Sequence, residues 1–399
     1  MRLAMVVNDD FSAWHFRKGL IAAVVAHGDD VTVVSPDGPY VAKLVALGAK
    51  HVPLPVCRFV SPLRDLRYCI ALYRVFRRIQ PDIVHNITVK PNTYGTIAAY
   101  LAGVPRIVML VSGLGYAFHE EAGLRKAVVR SVVTRLYRTA CHLAACVWFQ
   151  NPDDLELFVR LGLVPPEKGV VILGSGVNIS EFSPDAVSES AVHDLRKELA
   201  VLDDQRIVLM MVARAAWSKG VREFVEASEQ LAARGYRAAF VLVGPLDPGS
   251  PDEVPKDYLV GKHNNFRWID FRNDVRELLA CADIVALPSY YREGVPRTLL
   301  EAAAMAKPLV TTDNVGCREV VDHEKNGLLV PIKDSAALAA AVARLLDSSD
   351  LRRAFGTASR ARAEREFDER LVISRVFREV YGTRSGRLQS HQVPSCAAR

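Results

Sequence analysis

The segment ADIVALPSYYREGVPRTLLEAAAMAKPLV holds two glutamates eight residues apart, Glu293 and Glu301, with Gly294 and Pro296 between them. A short apolar run precedes the pair, and Thr298 to Ala306 has helical spacing. The pattern predicts a strand, a loop and a helix with Pro296 at its first position. Orphan N–H groups at a helix start point along its axis, so those of Gly294, Val295 and Arg297 could grip a diphosphate; Pro296 has none to offer. Glu293 could then face a reacting sugar while Glu301, further into the helix, accepts from a ribose diol. Singly, each acid also fits a plainer role, Glu293 as a helix-start acid in the dipole field and Glu301 as a solvated residue. Their joint occurrence after a buried strand favours the binding reading.

A second segment, RIVLMMVARAAWSKG, places Arg214 and Lys219 just past another strand. Alone they would be routine surface cations. At a strand end facing the helix that follows Gly294, they would neutralise a leaving diphosphate, Arg as a planar fork and Lys as a point charge. No Asp-x-Asp stands at a strand end, since Asp9 and Asp10 are adjacent and DPGSPDE reads as loop. The expectation is chemistry without a metal or a bound cofactor, with Arg214, Lys219 and Glu293 as the catalytic set.

Positioning these groups needs a repeating scaffold, and the chain supplies one. RLAMVVN, VTVVSP, DIVHN, RIVMLVSG, CVWFQN and GVVILGSG alternate with helical stretches, and after a polar interval (Ser180 to Ala191) the alternation restarts at RIVLMMVAR. Strand, helix, strand in repetition means parallel sheets covered on both faces. The predicted class is α/β, two Rossmann-like doubly wound domains facing across a cleft. The expected divisions are 1–179, 180–365, a helix at 366–383 that crosses back to the first domain, and a disordered tail at 384–399. In such sheets ligands sit beyond the carboxyl ends of the strands.

With 399 residues, 50% of them hydrophobic and 24% charged, the chain has a globular composition that excludes collagen-like and wholly disordered classes. Charged residues interrupt every apolar run before a bilayer could be crossed. No secretory signal is evident at the start. The seven cysteines (Cys57, Cys69, Cys141, Cys146, Cys281, Cys317, Cys396) include no Cys-x-x-Cys pair, which fits neither a disulfide framework nor a structural zinc site and predicts a cytoplasmic home. Residues 1–150 carry 18 Lys and Arg against 9 Asp and Glu, so the basic surplus belongs to the first part and points it toward something anionic.

Together, Glu293 and Glu301, the REGVPRTLLEAAA context, Arg214 and Lys219, ILGSGVNISEF and DVRELLACADIVALPSYYREG resemble the family 4 retaining glycosyltransferases of the GT-B fold, over about residues 165–330. VHNITVKPNTYG and LVSGLGYAF are similar to the branch that extends undecaprenyl-diphosphate-linked sugars in bacterial surface-glycan and N-glycan assembly. The resemblance implies a UDP-sugar donor, N-acetylgalactosamine among the candidate sugars, and a polyprenyl-diphosphate-linked sugar acceptor. It assigns Arg214 and Lys219 to the donor diphosphate, Glu293 to the sugar ring, Gly294, Val295 and Arg297 to loop contacts, and Glu301 to the ribose. WIDFRNDV would cradle the base near Phe271 and Arg272. Many relatives carry a catalytic-site His where this chain has Ser112 and Gly113, so donor contact there falls to the backbone of Gly113 to Gly115. The usual Gly-Gly of the first strand-to-helix loop is replaced by NDDFSAWHFR, which offers Asn8, Phe11 and Trp14.

On the acceptor side the candidates are Asn8, Arg17 at the start of the first helix, and His85 and Lys90 in the loop after DIVHN. Lys90 is the better match to an acceptor phosphate, and a lone His after a strand is more often structural. CRFVSPLRDLRYCIALYRVFRRIQ and LRKAVVRSVVTRLYRTACHLA mix arginines with apolar residues at helical spacing. They are either ordinary cover helices or a face that docks on the inner membrane surface. Nucleic acid is not an expected partner, because no recognised binding motif is present. Two other functions remain open at this stage. A two-domain UDP-sugar 2-epimerase would form its product without acceptor, and a non-catalytic nucleotide-sugar-binding protein would turn nothing over.

Overall fold

The computed structural model describes residues 1–57, 61–113, 124–199, 207–261, 263 and 265–382. Gly115 and the tail expected at 384–399 lie outside them.

Runs of three to six residues, continuously apolar in most of the central strands, form two all-parallel sheets. The first is built from β1 (Arg2–Val6), β2 (Asp30–Ser35), β3 (Lys50–Pro53), β4 (Ile83–Ile87), β5 (Arg106–Val111), β6 (Cys146–Phe149) and β7 (Gly169–Val171), in the order β3-β2-β1-β4-β5-β6-β7. The second holds β8 (Ile207–Val212), β9 (Ala238–Val243), β10 (Phe266–Ile269), β11 (Ile284–Leu287), β12 (Leu309–Thr312) and β13 (Gly327–Val330), in the order β10-β9-β8-β11-β12-β13. Every residue of β4, β6, β9, β11 and β12 is buried. Helices cover both faces of such strands, which is why they read as continuous rather than alternating hydrophobic runs. The pattern missed β3 and β10. Both are edge strands with exposed positions, and neither offers the unbroken apolar run that marks a central strand.

Strand order reverses beside the first strand of each sheet, between β1 and β4 and between β8 and β11. A crevice opens at such a reversal because successive connections leave to opposite faces. The first helix, Asp10–Ala26, starts at this point in the first sheet, where the side chain of Asp9 accepts from the N–H of Ser12 at 2.6 Å.

The chain passes between the two halves twice. The N–H of Val177 donates to Phe367 O at 2.8 Å, and that of Glu369 to Val177 O at 2.9 Å, so the two passes lie side by side. Beyond them Val372, Ile373, Val376, Phe377, Val380 and Tyr381 pack into the core of the first half. Among the described residues no helix is long and apolar enough to cross a membrane, and the six described cysteines are free thiols.

Candidate active site

Arg214 and Lys219 follow β8 and Glu293 follows β11, so the two segments flank the strand-order reversal of the second sheet. Parallel pairing of β8 with β11 brings their ends together. The ammonium of Lys219 binds Oε1 of Glu293, and both side chains are largely buried. The hydroxyl of Ser289 lies 2.9 Å from the same Oε1 and 3.1 Å from the carbonyl of Ser218, and its single proton serves one at a time.

Tyr291 lies under this pair, its ring 5.6 Å from Nζ of Lys219. Burial first, then the charge of Glu293, pushes its hydroxyl up to about 12, with Arg214 pulling the other way. Lys219 and Glu293 meet beside this ring, and the charge of Arg214 also reaches it. Arg214 is half-exposed and held by Asp247, with Nη1 2.5 Å from Oδ2. Its exposed half leaves donors for a ligand. Asp247 and Ser289 are site residues that the motif reading missed. Asp247 follows β9 in DPGSPDE, and only its place at a strand end beside β8 could have marked it.

The loop after β11 is gripped by both halves. Gly113 forms an isolated antiparallel bridge with Glu293, and Nδ2 of Asn151 lies 3.2 Å from Glu293 O and 3.3 Å from Gly294 O. Arg292 reaches across to Asp154, Nε to Oδ1 at 2.7 Å. A Cβ on Gly294 would fall 2.2 Å from Gln150 Oε1 and 2.9 Å from Ser112 O; one on Gly316, at φ +81, would fall 2.1 Å from Gly294 O. A side chain at Gly316 would run into backbone, and one at Gly294 would need both Gln150 and the Ser112 backbone to shift.

The helix after this loop spans Arg297–Ala304, with Pro296 as its N-cap rather than its first residue. The first N–H groups of a helix have no acceptor within it, so this start keeps donors that an anion could use. Val295 is buried beside Gly174. Arg297 binds Glu301 one turn on, Nε to Oε1 at 2.7 Å, and burial holds the Glu301 carboxyl above the usual carboxylate range against that pairing. A ribose at Glu301 would therefore compete with Arg297. At the edge of the second sheet, Phe271 is exposed and packs edge-on to Phe11 of the first half at 6.1 Å. Arg272 is bound by Asp274 and Glu198, so a base at this edge would meet its backbone and not its guanidinium.

The acceptor-side expectations need correction. His85 is not in the loop but inside β4, fully buried, with Nδ1 2.9 Å from the hydroxyl of Tyr381. Desolvation, then the charge of Arg17, pushes its ring down to about 3. It joins the returning C-terminal segment to the sheet and does not face the cleft. Lys90 is paired with Asp65 at 2.5 Å and mostly buried, so it is not the free phosphate ligand expected. Arg17 lies in the second turn of its helix, 5% exposed, with its guanidinium 5.6 Å from the ring centre of Trp148. Asn8 stays at the end of β1 with Oδ1 buried and unpartnered among the described residues. Also among the described residues, no three His, Cys, Asp or Glu side chains gather as a metal-binding group.

Comparison with known proteins bears on the same surfaces. Residues 14–173 match the family described as glycosyl transferase 4-like domain, and residues 206–348 match glycosyl transferases group 1. The chain is 32% identical over 376 residues to the Campylobacter jejuni N,N'-diacetylbacillosaminyl-diphospho-undecaprenol alpha-1,3-N-acetylgalactosaminyltransferase, covering 94% of this chain and 97% of that protein. It is 28% identical to the Escherichia coli UDP-Gal:alpha-D-GlcNAc-diphosphoundecaprenol alpha-1,3-galactosyltransferase, over 74% of each. Among solved structures, Anabaena HepE in complex with UDP-glucose superposes with a TM-score of 0.78 at 20% identity, over 96% of this chain and all of that one. Sucrose-phosphate synthase from Thermosynechococcus elongatus gives 0.79 at 18%, over 96% and 99%. The twin parallel sheets, the paired strand-order reversals and a whole-length relative at 32% identity lead to one assignment: the chain belongs to the family 4 glycosyltransferases and has the GT-B fold.

Proposed function

We propose that the protein transfers a hexosyl group, N-acetylgalactosamine being the first candidate, from a UDP-sugar to a hydroxyl of a polyprenyl-diphosphate-linked sugar, with retention of configuration and without a metal. The observation that carries the reading is the Lys219–Glu293 pair at the strand-order reversal, beside Arg214 and the helix start at Arg297. The acceptor class follows the names of the two relatives, both of which act on diphospho-undecaprenol-linked sugars.

In this reading the bond between the anomeric carbon and the diphosphate oxygen breaks first. Arg214, Lys219 and the helix start stabilise the charge that develops on the departing diphosphate. The acceptor hydroxyl enters on the same face, and its proton passes to the departing phosphate oxygen. Oε1 of Glu293 is held by Lys219 and within reach of Ser289, which suits a carboxylate that orients the sugar and not one that attacks it. The reaction belongs at the cytoplasmic face of the inner membrane. There the helix Pro62–Ile79 would lie on lipid, because Leu63, Leu66, Ile70 and Tyr73 are exposed along it among exposed arginines.

The test is a panel of UDP-hexoses with polyprenyl-diphosphate-linked monosaccharides, with and without EDTA, read by product mass and anomeric coupling. Acceptor-dependent UDP release with an α-linked product is the expected result. Inversion, loss of activity in EDTA, or epimer formation from donor alone would each overturn part of it.

A further inference from the structure

A second cleft, of about 340 Å³, opens beyond the ends of the second sheet and is lined by Trp217, Arg222, Glu223, Asp252, Tyr290 and Lys333. None of these six belongs to the donor cradle described above. They come from four strand-end loops and from the start of the helix Val221–Ala233. The volume suits a small ligand, at the lower end of what binding pockets enclose.

The lining combines two cations, two carboxylates and two aromatic rings. The guanidinium of Arg222 lies 5.1 Å from the ring centre of Trp217, and the ammonium of Lys333 lies 4.7 Å from that of Tyr290. Glu223 is only 7% exposed, and its Oε2 has no hydrogen-bond partner among the described residues. A buried acceptor without a partner is unfavourable, so a turn of this carboxylate toward a donor in the cleft would be favoured. An anion drawn by Arg222 and Lys333 would be repelled by Glu223 and Asp252, and a cation would meet the reverse. A neutral polyhydroxy ring satisfies both, because each hydroxyl can donate to a carboxylate and accept from a cation.

We propose that this cleft is a carbohydrate subsite for a neutral pyranoside, separate from the site of transfer. It touches the catalytic loop through Ser218, the neighbour of Lys219. Asp252 accepts from the N–H of Ser218 at 3.0 Å and from its hydroxyl, and the N–H groups of Tyr290 and Tyr291 donate to Ser218 O at 2.9 and 3.1 Å. A pyranoside held between Asp252 and Tyr290 fixes the backbone on which Lys219 is mounted.

The experiment is saturation-transfer NMR on the full chain with methyl α-D-glucopyranoside, methyl α-D-galactopyranoside and N-acetylgalactosamine, each with and without excess UDP. Transfer to at least one sugar that persists with UDP present, and a Kd raised at least tenfold in both Glu223→Gln and Lys333→Asn, is the expected result. Lys333 is exposed and sits at φ +58, a conformation Asn tolerates, so that variant reports even where Glu223→Gln disturbs its helix. Loss of the signal on adding UDP, an unchanged Kd in Lys333→Asn, or no transfer to any of the three sugars would overturn the proposal. No turnover is involved, and UDP binding is read from its own protons in the same samples, so a failure here is distinct from a failure of the transfer reading.

Discussion

The carboxylate of Glu293 meets the ammonium of Lys219 across 74 residues of sequence, while its own backbone is paired with Gly113 of the other half. One residue therefore registers the cation of one sheet against the loop of the other. In the proposed reaction, Lys219→Ala removes a leaving-group cation and leaves Glu293 without its ion-pair partner. Turnover at saturating donor should fall at least about 100-fold, the loss seen when one fixed charge stabiliser is deleted. A coupled assay of UDP release checks this, and wild-type turnover in the variant would refute leaving-group assistance.

Asp247 holds Arg214 at 2.5 Å but, in the proposed reaction, touches no substrate. Asp247→Ala should free the half-exposed guanidinium to wander, lowering kcat by about tenfold through lost positioning. Asp247→Glu should recover part of the loss. Equal activities for all three proteins would show that Arg214 needs no such support.

Gly294→Ala pushes a methyl group against Ser112 O, which is backbone, and Gln150 Oε1, which is a movable side chain. Adding Gln150→Ala should relieve only the second clash. The single variant should lose at least about tenfold in kcat/KM, since a small shift in a catalytic loop costs that much, and the double variant should recover some of it. Full recovery would place the constraint in Gln150 alone.

His85 is buried neutral, its ring pushed from 6.5 to about 3 by desolvation and then by Arg17. Below pH 6.5 the unfolded chain takes up a proton that the folded chain refuses until near pH 3. Stability is thus complete above 6.5 and falls as pH drops through that window, by up to about 1.4 kcal/mol per pH unit for this one ring. Urea unfolding of His85→Gln should show a shallower decline between pH 6.5 and 4. Parallel declines would mean that the ring titrates normally.

Replacing Leu63 and Leu66 together by Ser strips two of the four exposed apolar side chains from the helix Pro62–Ile79. Burying one leucine in lipid is worth about 1.5–3 kcal/mol. Binding to vesicles with anionic lipid, measured by sedimentation, should weaken at least tenfold, with UDP release from a soluble acceptor analogue unchanged. Unaltered sedimentation would remove this helix from the membrane face.

The central strands and the Glu293 to Glu301 segment were legible because continuous apolar runs and a Gly-x-Pro helix start are local signals. Edge strands β3 and β10 were not, since partial exposure breaks their runs. His85 was misplaced by the same locality. One residue decides whether a side chain ends a strand or follows it, and nothing nearby announces that Tyr381 will cover it from 296 positions away. Asp247 and Asn151 act only once distant loops are brought together, so spacing in the chain carries no trace of them.

The side-by-side passes at Val177 and Phe367 to Glu369 have a mechanical consequence. Two covalent crossings, hydrogen-bonded to each other, tie the halves along one line, so any torsion between the halves must strain the backbone bonds between the passes.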